Sequence, residues 1–241
     1  MSKFKIGVLI LLALCFAVPA FAVDGVVLIN QATVTAAGGF PYKITQSGSY
    51  KLSGNLVDTA AGTDGILIMA DNVTIDLNGF TISGPAVCSG SITPTCSFTD
   101  VGGVGIESTY LLNGLPQFAN NVTVRNGMVR GFADGLHLAG IYNIVEEIVA
   151  SWNAGDGIVA LHALVRRNVA SSNGRFGILA NDSTVVENVA DGNVQYGLFA
   201  QRSIYGSNTF SQNGLGAVYP TGGIDKAFSQ GNNYCGPTAP C

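Results

Sequence analysis

Charge is scarce in this sequence. Asp, Glu, Lys and Arg make up 11% of its 241 residues, and the formal net charge is −4. A charge-poor, mildly acidic chain lacks the basic surface that nucleic acid or an anionic membrane requires, so neither is expected as a partner. Histidine occurs only as His137 and His162, and neither belongs to a recognisable Ser/His/Asp set. No cysteine pair has C-x-x-C spacing and no histidine stands near a cysteine, so no metal centre of that kind is expected. Apolar residues at helical spacing do not persist beyond the first two dozen positions, which excludes a helix bundle. The L-x-x-L-x-L-x-x-N pattern of a leucine-rich repeat is missing as well.

Glycine, by contrast, is abundant, at 32 residues, and follows no collagen period. With so few charges around it, this glycine is expected to mark turns. At the N-terminus Lys3 and Lys5 precede the apolar run "IGVLILLALCFAV", then Pro19 and "AFA". A basic start, a short apolar core and small residues at the cleavage site describe a secretory signal peptide over residues 1–22, cut after Ala22. The run is shorter than the ~20 residues a spanning helix needs, so no membrane span is expected after cleavage, and the protein is expected to be secreted or periplasmic. Beyond the leader the cysteines form two close pairs, Cys88 with Cys96 and Cys235 with Cys241. In an exported chain the simple reading is two local disulfides, with metal binding as the rival.

One phrase is written three times. "IVASWNAGDGIVA" begins at Ile148, "NVASSNGRFGILA" at Asn168 and "NVADGNVQYGLFA" at Asn188. Laid out at this interval, the chain gives columns: Asn153, Asn173, Asn193, Asn213; then Asn168, Asn188, Asn208; then Gly157, Gly177, Gly197, each followed by Ile or Leu. Upstream, a longer step places Asn143 on Asn121 and Asp156 on Asp134. A recurrence every 20–22 residues signals a solenoid. The short, β-branched, turn-bounded segments "NVTV", "GILA" and "TVVENV" predict an all-β chain wound as a parallel β-helix. Coils then stack ~4.8 Å apart, and each residue lies above its counterpart one period away. Inward columns must be apolar, turns must be Gly or Asn, and buried Asn side chains can bond in a ladder from coil to coil. Arg125, Glu147, Arg167 and Glu187 are expected to form one column of alternating charge, a solvated structural ladder.

The expected organisation is an N-terminal β cap at 23–58, a parallel β-helix at 59–220 with a loop insertion at 85–103, and a C-terminal cap at 221–241 closed by the second cysteine pair. "SGSYKLSGNL", then "ADNVTIDLNGFTISG", then the Asn- and Gly-marked coils resemble exported bacterial right-handed parallel β-helix repeat proteins of the pectate-lyase-like superfamily. The resemblance implies a right-handed solenoid. It does not choose among that superfamily's polysaccharide lyases, hydrolases, epimerases and adhesins.

A lyase-like site implies carboxylates that hold Ca²⁺, with an Arg or Lys near the sugar. Asp64, Asp134 and Asp156 share the position before a glycine, and Asp134 falls over Asp156. Asp134, Asp156, Arg130 and His137 are therefore the catalytic candidates. Two carboxylates ~5 Å apart can hold Ca²⁺ or serve a retaining glycosidase. The competing explanation is that Asp before Gly is ordinary turn chemistry. The Gly-His-Gly signature of a polygalacturonase-like site and the Tyr-Gly-Phe-Asp-Pro-His motif of an alginate-epimerase-like site are absent. Val159, Leu179, Phe199 and Tyr219, in the column of His137, are expected to face outward as an apolar to aromatic ridge. Such a ridge can stack on sugar rings, serve as a self-association seam, or lie beneath residues 221–234. The function expected is an exported carbohydrate- or surface-binding module without a catalytic set and without a cofactor. The alternative is a polysaccharide lyase or glycoside hydrolase acting on an acidic polysaccharide, and only that reading calls for Ca²⁺.

Overall fold

A computed structural model describes residues 25–90, 94–96, 103–219 and 226–236. The expected signal peptide and Cys241 lie outside the described residues. Strand is nearly the only regular structure in the described chain, and the strands are wound into three parallel faces. The first face stacks nine strands: Val26–Ile29, Gly48–Leu52, Val73–Asp76, the starts of Val122–Arg130 and Asn143–Ser151, then Ala163–Arg166, Thr184–Val186, Ile204–Gly206 and Phe228–Ser229. The second face carries Leu56–Val57, Thr81–Ser83, the ends of the same two long strands, Val169–Ser171, Val189–Asp191, Thr209–Ser211 and Tyr234–Cys235. The third is an 8-stranded sheet running from Tyr42–Ile44 to Gly216–Val218. This is the parallel β-helix that the repeat and the family resemblance imply. Stacking extends upstream of residue 59, because Val26 already pairs with Ser49 and Ser49 with Thr74.

The repeated phrase is explained by what each column must do. Ile158, Ile178 and Leu198 lie in register and are fully buried, forming the apolar interior. A Cβ on Gly157 would meet the Gly177 carbonyl oxygen at 2.6 Å, and one on Gly177 would meet that of Gly197 at 2.7 Å. These glycines are therefore required by close approach of one coil to the next, and none of them has a positive φ. The left-handed corners fall elsewhere, on residues such as Glu147, Arg167, Glu187 and Ser207 (φ 54–59°). Each costs on the order of 1 kcal/mol. Directly after most corners comes a buried side chain that bonds along the axis. Asn173 Nδ2 donates to Asn193 Oδ1 at 3.0 Å and to the Ala150 carbonyl at 3.0 Å. Asn168, Asn188 and Asn208 form a second such ladder, and Ser183 and Ser203 a third.

Two register expectations are corrected. Val122, not Asn121, lies over Asn143, whose Oδ1 accepts from the Val122 N–H at 3.0 Å. Arg125 likewise lies over Glu146 and Arg166, not over Glu147 and Arg167. The extra residue of this coil sits at the Trp152 corner, between the second and third faces, so the first two faces keep the shorter step. Alternation of charge survives the correction, with Arg166 bonded to Glu146 at 2.6 Å and Arg167 to Glu147 at 3.1 Å.

The coil interior is closed at the N-terminal end by a short helix, Gln31–Ala36, that buries Val34. Asn30 caps it, its Oδ1 accepting from the N–H groups of Ala32 and Thr33. At the other end Asn233 receives the last rung from Asn208 at 3.2 Å. Cys88 and Cys96 form the expected disulfide, which staples a small antiparallel hairpin. Cys235 is also disulfide-bonded. A second hairpin, Thr109–Leu112 with Leu115–Phe118, projects from the coil after the third-face strand Val104–Glu107. Its Asn113-Gly114 turn, with φ of 53° and 79°, is a sequence signal for a two-residue hairpin.

Candidate functional site

The outer surface of the third face collects most of the chemistry. Successive strands place Leu67, Glu107, His137, Val159, Leu179 and Phe199 in one outward column. Tyr219 follows it, its N–H donating to the Leu198 carbonyl at 2.8 Å. The structure thus lines up the four expected ridge residues, with Val159 nearly buried and Tyr219 exposed. The rings of Phe199 and Tyr219 lie 4.8 Å apart, and Phe176 lies 5.1 Å from Phe199. Tyr196 packs edge-on to Tyr219 at 5.2 Å. Phe176 and Tyr196 come from the neighbouring column, so the ridge is an aromatic surface two columns wide. Residues 226–234 do not cover it, because Phe228 pairs with Ile204 on the first face and Tyr234 with Thr209 on the second. Residues 221–225 lie outside the described set.

At the other end of the column, His137 Nδ1 is 3.0 Å from Glu107 Oε2. Glu107 is nearly buried, and its other oxygen accepts from the Thr109 N–H at the base of the second hairpin. The hydrogen bond to Glu107 raises the His137 pKa above the ordinary histidine value, against the opposing effect of burial. Asp134 and Asp156 reinforce the rise through their charges. The histidine and both aspartates therefore share one neighbourhood.

The aspartate column is a chain of caps. Asp64 accepts from the N–H of Val104, Asp134 from that of Asp156 and Asp156 from that of Phe176, at 2.8, 2.7 and 3.0 Å. Val104 stands between Asp64 and Asp134 in this column, which separates the two acids. Asp156 is fully buried, and Arg175 of the next coil grips both of its oxygens. Burial nonetheless raises the Asp156 pKa, outweighing the Arg175 hydrogen bond. Its oxygens are thus committed to a guanidinium and a backbone amide, a donor set that does not fit Ca²⁺. Among the described residues no group of three or more His, Cys, Asp or Glu is arranged to hold a metal ion.

Arg130 does not join the other three candidates. It projects from the second face, in register with Ser83 and Ser151, and borders a separate cleft. Glu107 and Arg175 are the members of this neighbourhood that sequence reasoning missed. Neither recurs in its column, so the repeat gave no signal for them.

No family model matches the chain, and no curated protein is similar to it in sequence. Among solved structures the chain is similar to the Agl-KA catalytic domain, at 14% identity and a TM-score of 0.49, over 84% of this chain and 41% of that one. It is also similar to the A-module of the Azotobacter vinelandii mannuronan C-5 epimerase AlgE4, at 17% identity and TM-score 0.48, over 78% and 63%. A third is the periplasmic alginate epimerase AlgG, at 16% identity and TM-score 0.40, over 87% and 54%. The chain spans less than two thirds of each of these structures, and the likeness concerns the course of the chain alone. Among the described residues no helix is long and apolar enough to cross a membrane.

Proposed function

We propose that this is an exported carbohydrate-binding β-helix protein whose third face receives a glycan chain along the solenoid axis. The observation that carries this reading is the solvent-reaching aromatic surface of Tyr196, Phe199 and Tyr219, backed by the buried Phe176, with ring centroids 4.8 to 6.4 Å apart. Aromatic faces offer large apolar area at low entropic cost, and sugar rings present flat C–H faces to them. The Cys88–Cys96 disulfide supports export, since such bonds persist in oxidising compartments. Electrophoresis through gels containing neutral or acidic polysaccharides tests the reading. Retardation of the native protein, reduced in a Phe199→Ala, Tyr219→Ala double variant, supports it. Retardation equal in the two proteins removes it.

A second reading is supported by the Glu107–His137 pair. A histidine held by a carboxylate beside Asp134 is a candidate general acid or base in a polysaccharide lyase or hydrolase. New ultraviolet absorbance from unsaturated sugar ends, lost in His137→Asn, would establish a lyase. Release of new reducing ends without that absorbance would indicate a hydrolase.

A further inference from the structure

Every arginine of this chain but one pairs with a carboxylate from a neighbouring coil. Arg125 pairs with Asp76, Arg166 and Arg167 with Glu146, Arg175 with Asp156, and Arg202 with Asp182. Arg130 has no such partner among the described residues. Its neighbours in register are Ser83 and Ser151, which carry no charge. Arg130 instead borders a cleft of about 390 Å³, shared with Gly84, Val87, Cys88 and Trp152.

Trp152 is itself an exception in its column. It is the only tryptophan in the chain, and its φ of 57° is costly for a bulky side chain. The matching corners of other coils carry Gly131, Ser172, Gly192 and Gln212, also at positive φ. The corner therefore has no structural need of an indole. The wall opposite is fixed by the disulfide hairpin. Cys88 Sγ lies 3.4 Å from the Trp152 carbonyl oxygen, and Cys96 Sγ lies 3.7 Å from that of Asn153. The Ala86 N–H donates to the Gly131 carbonyl at 2.7 Å and ties the hairpin to the floor.

We propose that this cleft binds a small organic anion whose carboxylate is carried on a ring with a face that can stack. The guanidinium of Arg130 takes the carboxylate in the way the other arginines take Asp or Glu, and the indole of Trp152 receives the ring face. Sugar acids and aromatic acids share this chemistry. The site lies on a different face from the aromatic ridge and uses none of its residues, so it stands independently of the glycan reading.

Because Trp152 is the only tryptophan, its fluorescence and its single indole N–H resonance report on the cleft directly. The full protein is titrated with glucuronate, with benzoate and with neutral glucose. The expected result is a saturable perturbation by at least one of the two anions in the millimolar range, none by glucose, and affinity at least about tenfold weaker in Arg130→Gln. A response to glucuronate alone assigns a sugar acid, and a response to benzoate alone an aromatic acid. Phe199→Ala, which disables the ridge, leaves the titration unchanged. If Arg130→Gln does not fold, Arg130→Lys replaces it. That variant keeps the charge, loses the planar fork and is expected to bind several-fold more weakly. The proposal is overturned if neither anion moves either signal, if glucose moves them equally, or if the Arg130 variant binds as the native protein does.

Discussion

Arg175 reaches back one coil to hold both oxygens of the fully buried Asp156. The pair joins adjacent rungs of the third face from the outside, and the guanidinium continues over the Phe176 ring at 4.9 Å. Removing the cation strands a buried carboxylate. Arg175→Ala is expected to lower stability by about 2 kcal/mol or more at neutral pH. The folded-state pKa of Asp156 is already raised by burial, and losing Arg175 raises it further. Protonation therefore relieves the defect, and the deficit should shrink as the pH falls through that raised value. Urea unfolding at neutral and acidic pH checks both points. The exposed Arg202–Asp182 pair is the control, and Arg202→Ala is expected to cost less than about 1 kcal/mol.

The asparagine ladders bear on stability from the inside. Asn173 Oδ1 accepts from both the N–H and the Nδ2 of Asn153, while its own Nδ2 serves Asn193 and the Ala150 carbonyl. Asn173→Ala leaves several buried polar groups unpaired at once. At about 1–3 kcal/mol for each buried group left without a partner, a loss of roughly 3 kcal/mol is expected. Hydrogen exchange would localise the damage to the coils on either side, because stability in a solenoid is shared between nearest neighbours.

Gly177→Ala tests the close-approach requirement. The added methyl would lie 2.7 Å from Asn193 Nδ2 and from the Gly197 carbonyl oxygen, and 3.0 Å from the Ala190 Cβ. Two of these three are packed against backbone or core, so about 1–3 kcal/mol of destabilisation is expected. Helical propensity would favour the same substitution in another fold. Thermal unfolding equal to that of the native protein would mean that the coils can move apart without cost.

The Glu107–His137 pair predicts a pH dependence of the opposite chemical kind. His137 gains a partner on folding and its pKa is raised, chiefly by the hydrogen bond to Glu107. Its contribution is fully present below the unfolded-state value of about 6.5 and is lost as the pH rises through the folded-state value. His137→Asn should therefore destabilise the protein more at about pH 5.5 than at about pH 8.5. Urea midpoints at the two values measure the difference, and a histidine Nδ1 chemical-shift titration gives the pKa itself.

What was legible in the sequence was whatever recurs. The Asn173 and Gly177 columns are written out coil after coil, because each coil places the same demand on the residue at that place. The inward Ile158 column and the outward Phe199 column follow from the two-residue period of a strand. Apart from the Cys88–Cys96 pair, single side-chain contacts that do not recur leave no mark in the sequence. Glu107 stands between Leu67 and His137 in its column, and Arg175 follows no basic residue one coil earlier, so their roles emerge only from contacts. The slip at Asn121 has a similar origin. A single step applied to a whole coil cannot reveal that one corner carries an extra residue while two faces do not. Arg130 joins Asp134 as a candidate because a lyase-like site implies an Arg or Lys near the sugar, yet a corner between faces separates the two residues.

The Asn168, Asn188 and Asn208 ladder makes the coils interchangeable parts. Asn168 Oδ1 accepts from the Ile148 N–H and its Nδ2 donates to the Val145 carbonyl, and Asn188 makes the equivalent bond to Val165. Splicing residue 167 directly onto residue 188 would present Asn188 to Ile148 and Val145 in the place of Asn168, with the asparagine and interior columns closing on their own kind, once Gln195, which falls in the place of Arg175, is changed to Arg to serve Asp156. The molecule can in this way be shortened or lengthened by whole coils while its ends stay intact, so the reach of its third face is a quantity that gene-level duplication can set.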